Sequence, residues 1–328
     1  MTQPGTAEIR PLSADDLEAV IAIDTDTGGK SRRGYFEKRL QAATDHPRDY
    51  VYVGLHEDGA LRGFAFAKLV DGEFGKPGAS ASLDALAVSP AYSHKGHGHR
   101  LLGAVQQILT RKGVATLTSQ VDWSGREMLG FLADAGFGLS PRLVLTRSTA
   151  AIPPRLDDDP DGDGTGELDY SSPVSDDFVA LSRDKVPVRS MTDGDLAKII
   201  AIDRAGTGTD RSGFYTRKLQ ESLHQSGVRV SLVAELDGFP AGFIMARVDF
   251  GEFGRTSPEA VMDAIGVDPG YRGQGIGQAL MSQLMANLSV LRVETVRTEI
   301  DWNDTDLIAY FDAVGFVPAQ RITLSRDL

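Results

Sequence analysis

A chain of 328 residues, of which 41% are hydrophobic and 24% are charged, is long enough for two domains of ordinary size, each with its own core. The absence of cysteine excludes disulfides, thiolate metal sites and an acyl-cysteine intermediate. A net charge of −12 argues against a general affinity for nucleic acid and mildly favours amines and other cations as partners.

Two features of the sequence bear on location. The first ten residues contain neither a basic region nor an apolar segment, so they do not have the composition of a signal peptide. No apolar run is long enough to cross a bilayer, and no membrane partner is expected. The expected location is therefore the cytoplasm.

One internal repeat accounts for almost the whole chain. A constant offset of 179 residues joins Gly96 to Gly275 and aligns four further segments without a gap. Those segments are Ala-Ile-Asp24 with Ala-Ile-Asp203, Gly72-Glu-Phe-Gly75 with Gly251-Glu-Phe-Gly254, Asp122-Trp123 with Asp301-Trp302, and Gly136-Phe137 with Gly315-Phe316. A period this long indicates a duplicated domain, because solenoid repeats run ~20–50 residues. The predicted domains are an N-terminal copy over 1–148 and a C-terminal copy over 186–328.

Each copy is predicted to begin with a strand, a helix capped by Ser13 or Thr192, and a second helix rich in Arg and Lys. Three strands follow, then a glycine-rich loop with its helix, another strand, another helix and a closing hairpin. The strands are predicted over 9–12, 50–55, 64–70, 83–88 and 115–121 in the first copy, and over 188–191, 230–234, 242–248, 261–267 and 295–300 in the second; the basic helices are predicted over 34–43 and 213–223.

The segment between the copies, over 149–185, is rich in Asp, Gly and Pro. Such a composition cannot bury much apolar surface, which predicts a flexible linker. The spacing of Asp157, Asp159 and Asp161 is similar to that of a calcium loop, but the twelfth position, which needs a bidentate Glu, is Leu168. A calcium site is therefore not expected.

The most informative stretch of the second copy follows the strand predicted over 261–267. Arg272, Gly273, Gly275 and Gly277 form a loop that opens an amphipathic helix. Glycines let successive backbone N–H groups point into one concavity, and the positive end of the helix dipole adds to the same field. The loop is therefore predicted to hold a ligand that carries phosphate.

This loop, together with the order of elements in both copies, resembles the GNAT N-acetyltransferase superfamily. The resemblance implies an α/β (α+β) fold class with two GNAT folds, each a mostly antiparallel, twisted mixed sheet flanked by helices on both faces. It also implies acetyl-CoA (coenzyme A) as cosubstrate and no metal, with the loop amides on the pyrophosphate and the preceding strand along the pantetheine arm. It assigns coenzyme binding in the second copy to Ile265, Gly266, Val267, Arg272, Gly273, Gln274, Gly275, Ile276 and Gly277.

The loop of the first copy departs from the family's pattern. Gly96 and Gly98 match the motif, but Ser93 stands where the family has Arg or Gln, and three histidines crowd the loop. Coenzyme binding by the first copy stays open, because the backbone concavity can survive while the donor at its rim is lost. The histidines are not expected to bind a metal, since no carboxylate lies at a fixed spacing from them.

Acetyl transfer to an amine needs a group that removes a proton from the ammonium and a donor for the oxyanion of the attacked thioester. The candidates for the base are Glu252, Asp263, Glu299 and Asp301. Glu252 ranks first and Asp263 second, and a water can relay the proton to either. For Glu252 the alternative is a place in a well-formed turn, with Phe253 anchored in the core.

The resemblance also suggests an acid for the leaving thiolate and a donor for the oxyanion. The family's acid is a Tyr four residues before the Gly-Phe that follows the last helix, a position that holds Phe311 here. The neighbouring Tyr310 is the candidate, and its alternative is a place in the core stripe of its helix. A backbone N–H near Ile265 or Gly266 is the implied oxyanion donor.

The sequence thus favours an N-acetyltransferase that moves acetyl to a primary amine, of a small molecule or of a protein lysine or N-terminus, by direct attack in a ternary complex. A non-catalytic acyl-CoA sensor on the same tandem scaffold is the alternative. The expected partner is the amine acceptor, with neither nucleic acid nor a membrane, and both a monomer and a homodimer stay open.

Overall fold

The computed structural model describes residues 7–71, 79–150, 185–220, 230–249, 252–254 and 259–328. Nearly all of the predicted linker, with its calcium-like spacing, lies outside these ranges, as does the Gly72-Glu-Phe-Gly75 segment of the first copy. Among the described residues, eight α-helices and fourteen strands follow the predicted order in each half.

The first half contains β1 (Glu8–Pro11), α1 (Leu17–Gly28), α2 (Arg33–Asp45), β2 (Tyr50–Glu57), β3 (Ala60–Asp71), β4 (Ala79–Val88), α3 (His97–Arg111), β5 (Thr116–Asp122), α4 (Arg126–Asp134), β6 (Gly138–Leu139) and β7 (Arg142–Ser148). The second half contains β8 (Val188–Ser190), α5 (Leu196–Thr207), α6 (Ser212–Gln220), β9 (Leu232–Leu236), β10 (Phe239–Asp249), β11 (Glu259–Val267), α7 (Ile276–Val290), β12 (Thr295–Asp301), α8 (Thr305–Ala313), β13 (Val317–Pro318) and β14 (Arg321–Asp327).

The strands form two mixed sheets of seven strands each, and each sheet takes one strand from the other copy. The first sheet has the order β1-β2-β3-β4-β5-β14-β6, and the second has the order β8-β9-β10-β11-β12-β7-β13. β14 pairs with β5 from Arg321 opposite Asp122 to Asp327 opposite Thr116. In return, β7 pairs with β12 along its whole length. The last strand of each copy therefore completes the sheet of its counterpart.

The hairpin predicted at the end of each copy is wrong, because β6 pairs with β14 and β13 pairs with β7. A two-residue hairpin turn requires positive φ, which Asp58–Gly59 between β2 and β3 supplies with 54° and 75°. Neither Ser140–Pro141 nor Ala319–Gln320 has a residue with positive φ, and proline cannot adopt it. The chain therefore continues into the other sheet instead of reversing.

Helices cover both faces of each sheet and form the hydrophobic core with it. In the first half, α3 packs its apolar stripe on one face, where Leu101, Val105 and Leu109 are buried among strand residues. On the opposite face, α1 and α2 pack over an aromatic group that includes Phe36 and Phe64. The second half repeats this with α7 on one face and α5 and α6 on the other. Two similar half-proteins result, each with a layer of helices on either side of its sheet.

The two halves meet along β5 and β12. Gln120 of β5 donates a hydrogen bond to Glu299 of β12, and these two residues are separated by the repeat offset of 179. A contact between equivalent positions places an approximate twofold axis between the two strands. Arg142 of β7 also donates to Glu299, so the exchanged strand contributes to the same contact. None of the helices in the described ranges has the length and apolar character that membrane spanning needs.

Candidate active site

A cleft opens between the two parallel strands of each sheet. In the second sheet, β11 and β12 pair only at Ala260 with Val296 and at Val261 with Arg297. The Thr298 hydroxyl then donates to the carbonyl of Met262 at 3.0 Å, after which β11 has no ladder partner on that side among the described residues. In a sheet, alternate residues direct their backbone groups to the same neighbour. The end of β11 that contains Ile265, Gly266 and Val267 thus has backbone groups available to an extended ligand.

The glycine loop lies at the open end of this cleft and leads into α7. Gly273 and Gly275 both have φ of 78°, and Gly275 is the N-cap of this 15-residue helix. A Cβ added at either position would meet no atom within 4 Å, so the space above the loop is open. Backbone N–H groups, the helix dipole and an open concavity are the features that bind phosphate groups. The loop therefore has two left-handed glycines and open space beside it at the start of α7.

The remaining loop residues divide between the surface and the core. Arg272 and Gln274 are exposed, and the Arg272 guanidinium lies beside Gly206 at the end of α5. Ile276 is buried, and its methyl group packs where a Cβ on Gly242 would be. Ile276 therefore anchors the start of α7 to the sheet, while Arg272 is the charged group at the rim.

Gly277 serves packing, which the sequence interpretation missed. A Cβ there would lie 3.0 Å from the ring of Tyr310, closer than most such contacts, so glycine lets α8 approach the first turn of α7 without a shift of the ring. The Tyr310 hydroxyl donates to the Gly277 carbonyl at 2.8 Å, and the ring packs against the core. Burial raises the pKa of Tyr310 above its usual value, so the phenol keeps its proton in the neutral range. The position of Phe311, by contrast, is fully in the core.

Tyr310→Phe is expected to act on packing more than on chemistry. The change removes one hydrogen bond to a carbonyl, which should lower the free energy of unfolding by about 1 kcal/mol. The turnover number should change less than about threefold, since a coenzyme A thiolate can leave without a dedicated acid. Urea unfolding and steady-state kinetics measure the two effects. A loss of turnover above tenfold with unchanged KM would instead assign Tyr310 the role of the acid.

The loop of the first copy has the same backbone conformation as the second. His94 and Gly96 have φ of 58° and 79°, and they stand where Gly273 and Gly275 stand in the second copy. Two cations lie near this loop, since the Lys95 ammonium and the Arg62 guanidinium lie 4.7 and 4.4 Å from the centre of the Tyr92 ring. His97 is buried beneath the loop. The concavity at Gly96 and Gly98 thus survives the sequence changes.

Glu252 is buried among three arginines. Arg39 and Arg297 donate to its two carboxylate oxygens, and Arg247 lies 3.3 Å away. Although burial alone would raise it, these guanidinium groups hold the pKa of Glu252 well below its usual range. A carboxylate held in this way is a weak proton acceptor, and one of its partners belongs to the first copy. The alternative, in which Glu252 forms part of a structured turn, describes this geometry better than the role of base.

The turn that contains Glu252 has an unusual backbone conformation. Phe253 and Gly254 have φ of 51° and 78°. The Phe253 carbonyl accepts hydrogen bonds of 3.3 Å from Arg321 of β14, and the Arg297 guanidinium lies over the Phe253 ring. A left-handed conformation at a non-glycine residue persists where its surroundings fix it. Here the turn lies against β4 and β5 of the first sheet, so it belongs to the contact between the copies.

Asp263 lies where β11 and β12 separate. The register of β10 and β11 shifts at this point, since Met245 pairs with Ala264 and Ala246 pairs with Met262. The extra residue is Asp263, which the bulge directs toward α6. Lys218 of that helix lies 3.2 Å from the Asp263 carboxylate, and Arg247 lies 3.3 Å from it.

The other two base candidates have structural partners. Glu299 accepts hydrogen bonds from Arg142 and Gln120. Asp301 accepts two hydrogen bonds from Asn303.

The sequence reasoning missed Asp84, which is the equivalent of Asp263 in the first copy. It occupies the matching bulge in β4, where Phe66 pairs with Ala85 and Ala67 pairs with Leu83. Asp84 is 4% exposed, and burial, followed by the charge of Glu252, raises its pKa to about 6. The repeat offset applied to Asp263 would have identified it.

A polar cavity between the copies joins these groups. Its volume is about 70 Å³, and it lies between the points where the two pairs of parallel strands separate. The charged residues in its lining are Lys68, Asp84, Arg247, Glu252, Asp263, Arg297 and Glu299. Both bulge carboxylates therefore face one shared interior space.

Comparisons with known proteins agree with this geometry. The model of the acetyltransferase (GNAT) family matches residues 17–137 and 200–316. The N-alpha-acetyltransferase RimI of Mycobacterium tuberculosis (strain ATCC 25618 / H37Rv) is 35% identical over 86 residues, which are 26% of this chain and 51% of that protein. The match thus spans about half of that relative's length.

Solved structures with low sequence identity share the fold. A tandem GNAT protein from the clavulanic acid biosynthesis pathway, solved without AcCoA, has a TM-score of 0.62 at 18% identity, with 98% of each chain covered. The glucosamine N-acetyltransferase region of a fungal multi-domain beta-N-acetylglucosaminidase has a TM-score of 0.67 at 17% identity, covering 98% of this chain and 38% of that chain. Since the family model covers both halves with their glycine loops, the chain belongs to the acetyltransferase (GNAT) family and carries the fold twice.

Proposed function

We propose that the chain transfers acetyl from acetyl-coenzyme A to a primary amine, of a small molecule or of a protein lysine or N-terminus, by direct attack in a ternary complex. The single observation that carries this is the loop ahead of α7. Its two left-handed glycines, Gly273 and Gly275, open a 15-residue helix at the open end of a cleft between parallel strands. Such a loop suits a diphosphate, and the cleft suits an extended chain that ends in a thioester.

The named relatives support the amine as the acceptor class. RimI is called an N-alpha-acetyltransferase, and the fungal region is called a glucosamine N-acetyltransferase, so both names describe acetyl transfer to nitrogen. The absence of cysteine from the chain is consistent with direct attack, which needs no acyl-cysteine intermediate.

Within the second copy we assign the chemistry to residues around the cleft. The amides of the loop from Gly273 to Gly277, with Arg272 at the rim, would hold the pyrophosphate. A backbone N–H near Ile265 or Gly266 would donate to the oxyanion. Asp263, where the strands separate, is the proposed proton acceptor of this copy, a weaker one than an unpaired carboxylate because Lys218 and Arg247 pair with it. Glu252 is assigned instead to the contact between the copies.

Two measurements test the proposal. Isothermal titration with acetyl-coenzyme A should give one or two sites per chain, two if the loop of the first copy also binds. Release of free thiol from acetyl-coenzyme A should then depend on an added amine, across a panel of amino sugars, amino acids, polyamines and peptides. Tight binding without turnover on any amine would favour the acyl-CoA sensor, and no binding at all would refute both.

A further inference from the structure

The two bulge carboxylates have different ionic partners, although they occupy equivalent positions. In the second copy, the Lys218 ammonium pairs directly with Asp263 at 3.2 Å. In the first copy the equivalent of Lys218 is Arg39, and its guanidinium donates to Glu252. The nearest approach of Arg39 to the Asp84 carboxylate is 4.0 Å. The close ion pair of the second copy is thus loosened in the first.

The longer distance between Arg39 and Asp84 has a cause in the second copy. The segment Glu252–Gly254 lies against β4 and β5, the strands that form the first copy's cleft. Glu252 accepts from Arg39 on one oxygen and from Arg297 on the other, so it draws Arg39 toward the contact between the copies. The hydroxyl of Ser82 donates to Asp84 at 2.7 Å, which is a weaker stabiliser of the carboxylate than a direct ion pair.

We propose that Asp84 is the proton acceptor of a second acetyl-transfer site in the first copy, and that Glu252 of the second copy is its positioning residue. This inference rests on the proposed function, since it uses the same reaction. The site is composite: the loop at Gly96 and Gly98 would bind the coenzyme, Asp84 would face the amine, and Glu252 would keep Arg39 from neutralising Asp84.

The proposed step balances in protons and bonds. The Asp84 carboxylate takes one proton from the ammonium and becomes a carboxylic acid. The free amine nitrogen attacks the thioester carbonyl, the N–C bond forms and the C–S bond breaks. The second proton of the nitrogen leaves with the thiolate as thiol, and Asp84 returns its proton to solvent. The products are an amide, free thiol and one proton.

The geometry provides a place for the amine. Asp84, Ser82, Thr118 and Ser119 lie together at the point where β4 and β5 separate, and all four line the cavity between the copies. Lys68 lines both this cavity and an outer groove of about 470 Å³ between β2 of the first copy and α6 of the second. Because Lys68 is common to both linings, this groove is the proposed route by which an amine would reach Asp84, and its two walls come from different copies.

The pH dependence follows from the groups that face Asp84. These are Arg39 and Tyr35 on α2, Lys68 on β3, Tyr52 on β2 and Glu252 from the second copy. Burial and the charge of Glu252 raise the pKa of Asp84 from 3.8 to about 6. Activity of the first copy should therefore rise with pH through about 6, as Asp84 loses its proton.

The free energy of unfolding should change with pH in the opposite direction. Because the folded state binds the Asp84 proton more tightly than the unfolded state does, stability falls as pH rises from 3.8 toward 6.

The first test measures the pH at which Asp84 loses its proton, and it does not depend on turnover. In the full chain labelled with ¹³C at aspartate carboxyl carbons, the Asp84 signal is identified by its loss in Asp84→Asn. We expect its titration midpoint near 6 in the wild type and at lower pH in both Glu252→Gln and Arg39→Lys. Arg39→Lys reproduces the pair that Lys218 forms with Asp263, and Lys218→Arg is the matched control that leaves the Asp84 midpoint in place. A midpoint near 3.8 in the wild type, or one unmoved by both variants, would overturn the positioning role.

The second test measures turnover by the first copy alone. It uses the Gly275→Glu chain, in which the glycine loop of the second copy should no longer bind the coenzyme. Its remaining turnover should fall at least about 100-fold on Asp84→Asn, the usual loss for a missing general base. Glu252→Gln should lower turnover above pH 7, because Arg39 can then pair with Asp84, and should shift the acidic limb of kcat/KM to lower pH. Two results would overturn this inference: unchanged turnover when Asp84→Asn is added to the Gly275→Glu chain, or no turnover by the Gly275→Glu chain itself. The proposed function fails separately, if the wild type acetylates no amine.

Discussion

Gly275→Glu should abolish coenzyme binding at the loop of the second copy. The side chain would occupy the open space above the loop and bring a negative charge to the site of the diphosphate. At an effective dielectric constant of 20, two like charges 4 Å apart repel by about 4 kcal/mol, which corresponds to more than a 100-fold loss of affinity. Isothermal titration with acetyl-coenzyme A measures the loss.

The control for this variant is Gly113→Glu, in the turn after α3. Gly113 has the same φ of 78°, and a Cβ there also meets no atom within 4 Å. Both variants thus carry the same backbone strain, roughly 1–2 kcal/mol for a left-handed residue, and the same added charge. Gly96→Glu is the companion in the first copy. If Gly275→Glu bound the coenzyme as well as Gly113→Glu does, the loop assignment would be wrong.

Removal of residues 321–328 should unfold the first half of the chain, although the deletion lies at the end of the second. β14 supplies seven residue pairs with β5 and places Leu324 in the first core. Ladder hydrogen bonds at about 0.5–1.5 kcal/mol each, together with about 1.5–3 kcal/mol for the buried Leu, approach the ~5–15 kcal/mol that keeps a domain folded.

Hydrogen exchange measures this effect element by element. In the truncated chain, protection should be lost in β4, β5 and α3, while β9 to β11 keep most of theirs. A chain that lacks only Leu328 is the matched control, because the ladder between β14 and β5 stays complete at Asp327. Unchanged protection of β5 after removal of 321–328 would show that the first sheet does not depend on β14.

The sequence was sufficient for what local patterns and the repeat determine. The offset of 179 residues predicted that both halves share one order of elements, and the structure confirms it. The turn at Asp58–Gly59 also follows from its own residues, because Asp and Gly tolerate the positive φ of 54° and 75° that it has. Glycine spacing likewise predicted the loop ahead of α7, because its conformation depends on the residues in the loop itself.

Contacts between distant segments could not be predicted in this way. The exchange of β7 and β14 depends on the direction of the chain at Ser140–Pro141 and at Ala319–Gln320, and neither short link shows which sheet the next strand joins. The sequence alone ranks Glu252 first among the candidates for the base. Its contact with Arg39 joins residues 213 apart in sequence, and no local pattern connects the two.

The exchanged strands also make the two copies inseparable by cleavage of the main chain between them. A cut anywhere between residues 150 and 185 would give one fragment that still holds β7 inside the partner's sheet and another that still holds β14 inside the first. The pieces should therefore co-elute as a single particle under native conditions and part only in denaturant. Gene fission at this point could give a working heterodimer from two separate polypeptides, whereas either product made alone would lack an inner strand.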